Sequence, residues 1–197
     1  MSLQTGDDGL RRAKAELRMT IRDRIAALSR SERRRADDAI ADRLSAAVSR
    51  LGAVAVLGYV ALPDEVCIDA FLASMVASGL EVLLPRLAGS TAAWARWTPR
   101  TQMVREKGRF LAPRQRPGEG GIPAGAVVIV PGRAFDLRGR RLGRGAGFYD
   151  RMLGGAQALR TIGVAYRCQM VEEVPSAAHD VAMSSVVTDE EARNGGG

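Results

Sequence analysis

The fold of this protein is decided by residues 53–87, which read AVAVLGYVALPDEVCIDAFLASMVASGLEVLLPRL. The two ends of this stretch, residues 53–60 and 81–87, are mainly apolar and rich in valine and leucine, which is typical of buried strands. Residues 68–79 between them have the length and apolar content of a helix that ends at Gly79. A strand–helix–strand unit pairs its two strands in parallel through a right-handed connection. The stretch therefore predicts an α/β protein.

Further apolar runs extend the predicted sheet beyond this unit. The best buried strand is AVVIV at residues 126–130, which Pro131 and Gly132 end. An edge strand is predicted at residues 91–99, and two further strands at residues 161–166 and 185–188. Residues 112–125 are predicted to be a proline- and glycine-rich loop, and residues 149–153 a short helix. Together they predict one domain over residues 1–197, a three-layer α/β fold with a mostly parallel sheet flanked by helices. Residues 1–9 and 194–197 are predicted to be disordered ends.

Two helices are predicted before the sheet. Over residues 10–28, apolar residues recur at spacings of three and four with charges between them, which predicts an amphipathic helix. Ser29 followed by Glu32 matches the capping-box pattern, so a second helix is predicted to begin there. Gly52 is the predicted stop of that second helix.

Composition restricts the setting and the partners. The chain has 197 residues, 46% apolar content and a formal net charge of +7, which favours nucleic acid, an anionic membrane surface or a polyanionic small molecule as partner. Cys67 and Cys168 are too few for a disulfide scaffold or a structural zinc site. No stretch resembles a signal peptide or is long enough to cross a bilayer. We therefore expect a cytoplasmic protein without a membrane partner.

A nucleic-acid-binding module is the alternative that charge alone suggests. Such modules usually present a basic stripe or stacking aromatic residues. Aromatic residues make up only 5% of this chain and its arginines are scattered, so we expect small molecules and not nucleic acid as partners. Steeply salt-dependent binding would be the sign of the alternative.

Asp64 and Glu65 follow the first buried strand, in the loop of residues 61–69. Open α/β sheets bind ligands at the carboxyl ends of their strands, so this loop is a candidate site. Asp64 has two open interpretations, a cap for the next helix or a functional carboxylate. Glu65 is less easily explained as a cap and is the stronger functional candidate.

The segment RRLGRGAGFYDRM, residues 140–152, is a second candidate. Alternating glycines let backbone N–H groups approach a ligand closely, and successive amides can form an anion-binding nest. Arg141 and Arg144 would add side-chain charge. The segment lacks the GK[ST] of a Walker A loop and does not follow a strand directly as a Rossmann loop does, so a surface turn is the alternative.

The third candidate loop is AAHDVAMSSVVTDE, residues 177–190. His179 is the single histidine, and it is either a catalytic imidazole or a capping or surface residue. Asp180 and Asp150 are hard oxygen donors of the kind that Mg²⁺ prefers. Two carboxylates near a glycine and arginine anion site make MgATP a candidate ligand.

Six segments follow one another along the chain in an informative order. They are KAELR at residues 14–18, PDEV at 63–66, VLLPRL at 82–87, VIVPGRAFDLRGRRLGRGAGFYDR at 128–151, IGVAY at 162–166 with Gln169, and VPSAAHD at 174–180. In this order they resemble the 5-formyltetrahydrofolate cyclo-ligase family, also called 5,10-methenyltetrahydrofolate synthetases. The resemblance implies the α/β fold type shared with sugar-phosphate isomerases and CoA-transferases. It also implies an enzyme that uses MgATP to close 5-formyltetrahydrofolate to 5,10-methenyltetrahydrofolate, with release of ADP and phosphate.

The resemblance implies roles for individual residues. Arg144 and Tyr149 would be catalytic, and Asp150 and Asp180 would hold Mg²⁺. The implied ATP-binding residues are Lys14, Arg18, Arg141, Leu142, Gly143, Arg144, Gly145, Ala146, Gly147, Phe148 and Tyr149. The implied folate-binding residues are Val60, Glu65, Arg144, Gly145, Ala146, Gly147 and Phe148.

The chemistry of ring closure agrees with these roles. A formyl oxygen is a poor leaving group, so it must become a phosphate ester, which in-line attack on the γ-phosphoryl group provides. The protein then mainly positions its ligands and neutralises charge, and it needs no covalent nucleophile. This fits a chain with one histidine and no GxSxG elbow. A folate- or ATP-binding regulator without turnover is the remaining alternative, and we expect a monomer.

Three positions depart from the pattern of the family. Cys67 stands where the family often has an acid, Ala146 where it often has lysine or another polar residue, and Phe148 where tyrosine is commoner. A lost charge at residue 146 would weaken the binding of anions, and a lost hydroxyl at residue 148 removes one hydrogen bond. The mechanism requires neither group, so we expect activity.

Overall fold

Helices form the first part of the chain and strands most of the rest. The computed structural model describes residues 2–88, 91–106, 110–114, 122–145, 147–149, 159–177, 180–190 and 192–194. The α-helices in this part of the chain are α1 (Ser2–Ala27), α2 (Arg30–Arg50) and α3 (Asp69–Ala77), and one 3₁₀ turn covers Arg167–Gln169. The strands are β1 (Ala55–Leu57), β2 (Glu81–Ala88), β3 (Thr91–Arg96), β4 (Met103–Glu106), β5 (Phe110–Pro113), β6 (Val127–Pro131), β7 (Ala134–Phe135), β8 (Arg141–Leu142), β9 (Arg160–Val164), β10 (Ser185–Val187) and β11 (Ala192–Asn194).

One large sheet organises the molecule. Its described strands lie in the order β11-β10-β9-β6-β1-β2-β3, and β4–β5 and β7–β8 form two separate hairpins. The five central strands pair in parallel, whereas β3 and β11 run antiparallel at the two edges. The mostly parallel α/β fold is therefore confirmed, and the edge strand predicted at residues 91–99 is found over Thr91–Arg96.

The two faces of the sheet bury different side chains of the same strands. In β6, Val127 and Ile129 pack with α1, α2 and α3, while Val128 and Val130 pack on the opposite face beside Phe135. This alternation follows the two-residue period of a strand, and burial on both faces explains why β6 is continuously apolar. Most of the predicted helix at residues 149–153 lies outside the described residues.

The two N-terminal helices begin and end largely for the predicted reasons. The Ser29 hydroxyl accepts the backbone N–H of Glu32 over 3.2 Å, and Glu32 accepts the backbone N–H of Ser29 over 2.8 Å, so the capping box is confirmed. Gly52, with φ of +58°, follows the end of α2 as predicted. Helix α1 begins at Ser2, before the predicted start at residue 10, so residues 2–9 are helical where a disordered end is predicted. Adding residues to a helix that has already formed costs little free energy, so α1 extends beyond the residues of its apolar face.

Two predictions about the strands need correction. The predicted loop at residues 112–125 begins inside β5, which pairs antiparallel with β4 in a hairpin. Both strands are only four residues long, too short for a clear alternating pattern, and their pairing with each other stabilises them. Strand β11 includes Asn194, the described part of the predicted disordered end at residues 194–197, and pairs with β10.

Candidate active site

The carboxyl ends of the parallel strands gather the polar loops on one edge of the sheet. The loop after β1 carries Asp64 and Glu65, and Arg133 follows β6. Hairpin β7–β8 then leads into the glycine segment 143–149, which we call the glycine loop. Arg18 of α1 donates from Nε to the carbonyl oxygen of Gly143 over 2.9 Å, so α1 reaches this edge as well. This is the edge at which open α/β sheets bind ligands.

Arg144 joins the glycine loop to the loop after β1. Its Nε donates to Glu65 Oε1 over 2.8 Å, and its Nη2 donates to Asp64 Oδ1. Arg133 Nη2 pairs with Asp64 Oδ2. The structure therefore brings together two predicted site residues, Arg144 and Glu65, through a direct ion pair.

The charges of this network shift two pKa values. Burial alone would raise the pKa of the Asp64 carboxyl, but hydrogen bonds from Arg133 and Arg144 outweigh it and lower that pKa below its usual value. Burial would lower the pKa of the Arg144 guanidinium, whereas Glu65 and Asp64 raise it. Asp64 and Arg144 are therefore both ionised at neutral pH.

Asp64 does not cap the following helix. The cap position of α3 is Ile68, and no side chain makes a capping hydrogen bond there. The capping interpretation of Asp64 is therefore wrong, and the functional interpretation is the one that its two arginine partners favour. Glu65 also closes its own loop, because its Oε2 accepts the backbone N–H of Leu62 over 3.0 Å.

The glycine loop depends on glycine at particular positions. Gly145 has φ of +101° and Gly147 has φ of +62°, a region that other residues rarely adopt. A side chain at Gly143 would start 2.7 Å from Arg141 Nη1, so the Arg141 guanidinium would have to shift. Because Arg18 holds one part of the loop and Arg144 another, a freely exposed surface turn is the poorer interpretation. Ala146 lies outside the described residues.

Phe148 and Tyr149 form an aromatic pair at the end of the glycine loop. Their rings meet edge to face with centroids 5.2 Å apart, and the Arg141 guanidinium lies 5.7 Å from the Tyr149 ring centroid. Burial, and then the charge of Glu65, raise the pKa of the Tyr149 hydroxyl well above its usual value. The Tyr149 hydroxyl is therefore protonated at neutral pH and can donate a hydrogen bond.

Lys14 and Asp180 form an ion pair between α1 and the segment before β10. Lys14 Nζ donates to Asp180 Oδ2 over 2.7 Å, and the side chains are 19% and 17% exposed. The same oxygen accepts the backbone N–H of Ala177 over 2.8 Å. Asp180 is thus a hard oxygen donor, but one that already has a cationic partner.

The other predicted metal ligand, Asp150, lies outside the described residues, as does His179. Among the residues that the structure describes, no group of three or more histidine, cysteine, aspartate or glutamate side chains is arranged to hold a metal ion. Of the predicted pair, Asp180 is the one that the structure describes, and its carboxylate is paired with Lys14.

Arg133 is the residue that the sequence interpretation missed. Its side chain is 13% exposed, and burial followed by the charge of Arg133 lowers the pKa of Arg18. Arg18 and Arg141 lie against the glycine loop and Arg144 belongs to it, while Asp64 and Glu65 are the carboxylates that pair with Arg133 and Arg144. This excess of positive charge suits an anionic ligand. Applying the strand-end rule to β6, as to β1, would have found Arg133.

Two further features complete the map of predicted residues. Val60 is partly buried and packs against the core on the helical face of the sheet. A cavity of about 680 Å³ lies between α1, α2 and the 3₁₀ turn, and its lining residues include Arg24, Arg35 and Tyr166 but none of the predicted site residues. The predicted site is therefore the cluster at the strand ends and not this cavity.

Comparison with known proteins gives the family. The profile of the 5-formyltetrahydrofolate cyclo-ligase family matches residues 11–189. The chain belongs to this family. It is 33% identical over 185 residues to the 5-formyltetrahydrofolate cyclo-ligase of Mycolicibacterium smegmatis, an alignment that covers 90% of this chain and 94% of that protein.

Solved structures agree with the family. The 5,10-methenyltetrahydrofolate synthetase of Aquifex aeolicus superimposes with a TM-score of 0.79 at 29% identity, covering 92% of each chain. The synthetase of Mycoplasma pneumoniae shares the fold, with a TM-score of 0.69 at 20% identity over 89% of this chain and 98% of that one. The resemblance seen in the sequence is confirmed, and the chain is an enzyme, a ligase of folate metabolism.

Proposed function

We propose that this cyclo-ligase uses ATP and Mg²⁺ to convert 5-formyltetrahydrofolate to 5,10-methenyltetrahydrofolate, with release of ADP and phosphate. The observation that carries the proposal is the 2.8 Å ion pair between Arg144 and Glu65. It joins the glycine loop, which is suited to phosphates, to the loop proposed for the folate. The two ligands would therefore react at this junction.

The proposed reaction has two steps. First, the formyl oxygen attacks the γ-phosphorus of ATP in line, a P–O bond forms, and the bond to ADP breaks. Then the neighbouring folate nitrogen, N10, attacks the activated formyl carbon, the C–O bond to phosphate breaks, and N10 loses its proton. Phosphate leaves with both electrons of that bond, so no oxidant or reductant is needed.

The residues of this chain would mainly supply positive charge and position. Arg18 and Arg144 would neutralise charge on the phosphates, while the glycine loop gives its backbone N–H groups close access to them. Lys14 would exchange Asp180 for a phosphate oxygen. Mg²⁺ would neutralise phosphate charge when bound, and Asp180 is the described carboxylate that could hold it, with Asp150 as the second.

Glu65 and Tyr149 would act on the folate side. Glu65 accepts hydrogen bonds from Arg144 and Leu62, and this fixes its carboxylate at the junction of the loops. Tyr149, protonated at neutral pH, is partly buried near Glu65 and would border the folate.

Formation of the methenyl product tests the proposal directly. Purified protein with 5-formyltetrahydrofolate and MgATP should give a growing absorption band in the near ultraviolet, with one ADP released per product. Omitting ATP or chelating Mg²⁺ should stop the band. Folded protein that binds both ligands at saturation without forming the band would instead be a regulator without turnover, and the proposal would be wrong.

We also propose a monomer in the cytoplasm with small-molecule partners. Among the described residues, no helix is both long and apolar enough to cross a membrane. Some arginines are paired with carboxylates, as in Arg140 with Asp136 and Arg86 with Glu106, and so are less available to a nucleic acid. Light scattering of purified protein tests the monomer, and a gel-shift series over salt tests for nucleic acid.

A further inference from the structure

Asp64 is shared between two arginines of the site. Its Oδ2 pairs with Arg133, its Oδ1 pairs with Arg144, and Arg144 also donates to Glu65 over 2.8 Å. The side chain of Arg133 is 13% exposed and that of Glu65 is 10% exposed. Charges that are shielded from water in this way interact more strongly than those on the surface.

Hydrogen bonds fix the backbone of Arg133 at a position from which its side chain pairs with Asp64. Its backbone N–H donates to the carbonyl oxygen of Leu142 over 2.6 Å, and its carbonyl oxygen accepts from Gln169 Nε2 over 3.0 Å. Its Nη1 is buried and has no hydrogen-bond partner among the described residues. Arg133 is therefore fixed at the end of β6, and Asp64 is the partner that its guanidinium reaches.

The charge balance of the network depends on Arg133. Two guanidinium groups, Arg133 and Arg144, face two carboxylates, Asp64 and Glu65, so the network is neutral. Without Arg133, one guanidinium would face two carboxylates and the network would carry a net negative charge. Arg144 would then bind both carboxylates more tightly, and the glycine loop would attract an anion less strongly, because, among the described residues, Arg18 and Arg141 alone would supply net positive charge there.

We propose that Arg133 is a positioning residue for the ligase reaction. By neutralising Asp64, it leaves Arg144 available to the anionic co-substrate, and it acts through Asp64 without touching the ligand. The proposal rests on the proposed use of ATP at this site. It concerns the KM for ATP and leaves the roles of the folate-binding residues as they are.

Substitutions of Arg133 that separate charge from size test this. We expect Arg133→Gln to raise the KM for ATP at least about tenfold, because Arg144 is then bound by two carboxylates, and to change the KM for 5-formyltetrahydrofolate less than about threefold. Arg133→Lys keeps the charge and should stay within about threefold of the wild type for ATP. Arg138→Gln, at an exposed position of the β7–β8 turn, is the matched control and should change neither constant.

Removing the charge of Asp64 tests the route of the effect. Asp64→Asn alone should lower the KM for ATP about threefold or more, because the network then gains a net positive charge. In Arg133→Gln/Asp64→Asn the network is again neutral, so the KM for ATP should return to within about threefold of the wild type. A high salt concentration should shrink the differences, because they arise from charge.

The outcomes separate this inference from the proposed function. A wild-type protein that forms no methenyl product with MgATP contradicts the proposed function. With an active wild type, an unchanged KM for ATP in Arg133→Gln, or a double variant as impaired as Arg133→Gln, overturns the inference alone. If circular dichroism shows that Arg133→Gln does not fold, the Asp64→Asn variant becomes the test. An unchanged or higher KM for ATP in Asp64→Asn would then overturn the inference.

Discussion

Lys14 and Asp180, 166 positions apart in the sequence, form a partly buried ion pair of 2.7 Å that joins α1 to the segment before β10. Both residues were predicted to serve the same ligand, one on its phosphates and the other on its metal ion. Their contact pairs the predicted phosphate-binding cation with the predicted metal-binding carboxylate. Binding of ATP would therefore exchange one charge partner for another.

Replacing Lys14 tests that exchange. We expect Lys14→Ala to raise the KM for ATP about tenfold, equivalent to about 1.4 kcal/mol, because a charge-assisted contact with phosphate is lost. The KM for 5-formyltetrahydrofolate should change little. Steady-state kinetics with each substrate varied in turn measures both, and Arg12→Ala, at an exposed position on the same helix, is the control. Equal increases in both constants would contradict a role confined to ATP.

The conformation of Gly145 makes a second prediction. Its φ of +101° is strained for any other residue, and Arg18 lies within 3.7 Å of where a side chain would begin. We expect Gly145→Ala to lower kcat/KM for ATP at least about tenfold and stability by about 1 kcal/mol. Gly79→Ala meets a similar backbone cost, with φ of +84° and open space around it, but lies far from the site. It should therefore lower the melting temperature without lowering kcat/KM.

The lowered pKa of Asp64 predicts part of the acid sensitivity of the protein. A carboxyl whose pKa is lower in the folded than in the unfolded state stabilises the fold above its usual pKa of about 3.9, and this stabilisation is lost as the pH falls through the lower value. Urea unfolding between pH 3 and pH 6 should therefore show a shallower loss of stability in Asp64→Asn than in the wild type. Asp42→Asn, at an exposed position of α2, should follow the wild type. Parallel curves for the wild type and Asp64→Asn would contradict this assignment.

The capping box of α2 predicts a change in stability without a change in chemistry. Ser29→Ala removes the acceptor of the Glu32 backbone N–H and should lower the free energy of unfolding by about 1 kcal/mol. The KM for ATP should stay the same, since the cap lies on α2 and none of the predicted site residues does. Ser49→Ala, at an exposed position near the end of the same helix, should cost less. Chemical denaturation measures both variants, and equal losses would mean that the cap contributes nothing specific.

The parallel sheet could be predicted because its signals are local. Residues 53–60 and 126–130 are apolar over a strand length, and a helix of fitting length lies between the two strands of the first unit. The hairpin β4–β5 could not be predicted in the same way, because its strands are short and partly polar and owe their conformation to each other. Strand β11 likewise depends on its neighbour β10, which lies beside it only in the folded chain.

The sequence by itself determined the α/β class, the capping of α2 and the family, because buried strands, caps and the ordered motifs are each written in contiguous residues. It also selected Glu65 and Arg144 as site residues. Only the tertiary structure decided that these two form an ion pair and that Lys14 pairs with Asp180. It also decided that Asp64 binds two arginines and does not cap a helix. Such pairings join separate strand ends, and their distances depend on how the sheet packs against α1, which no local pattern records.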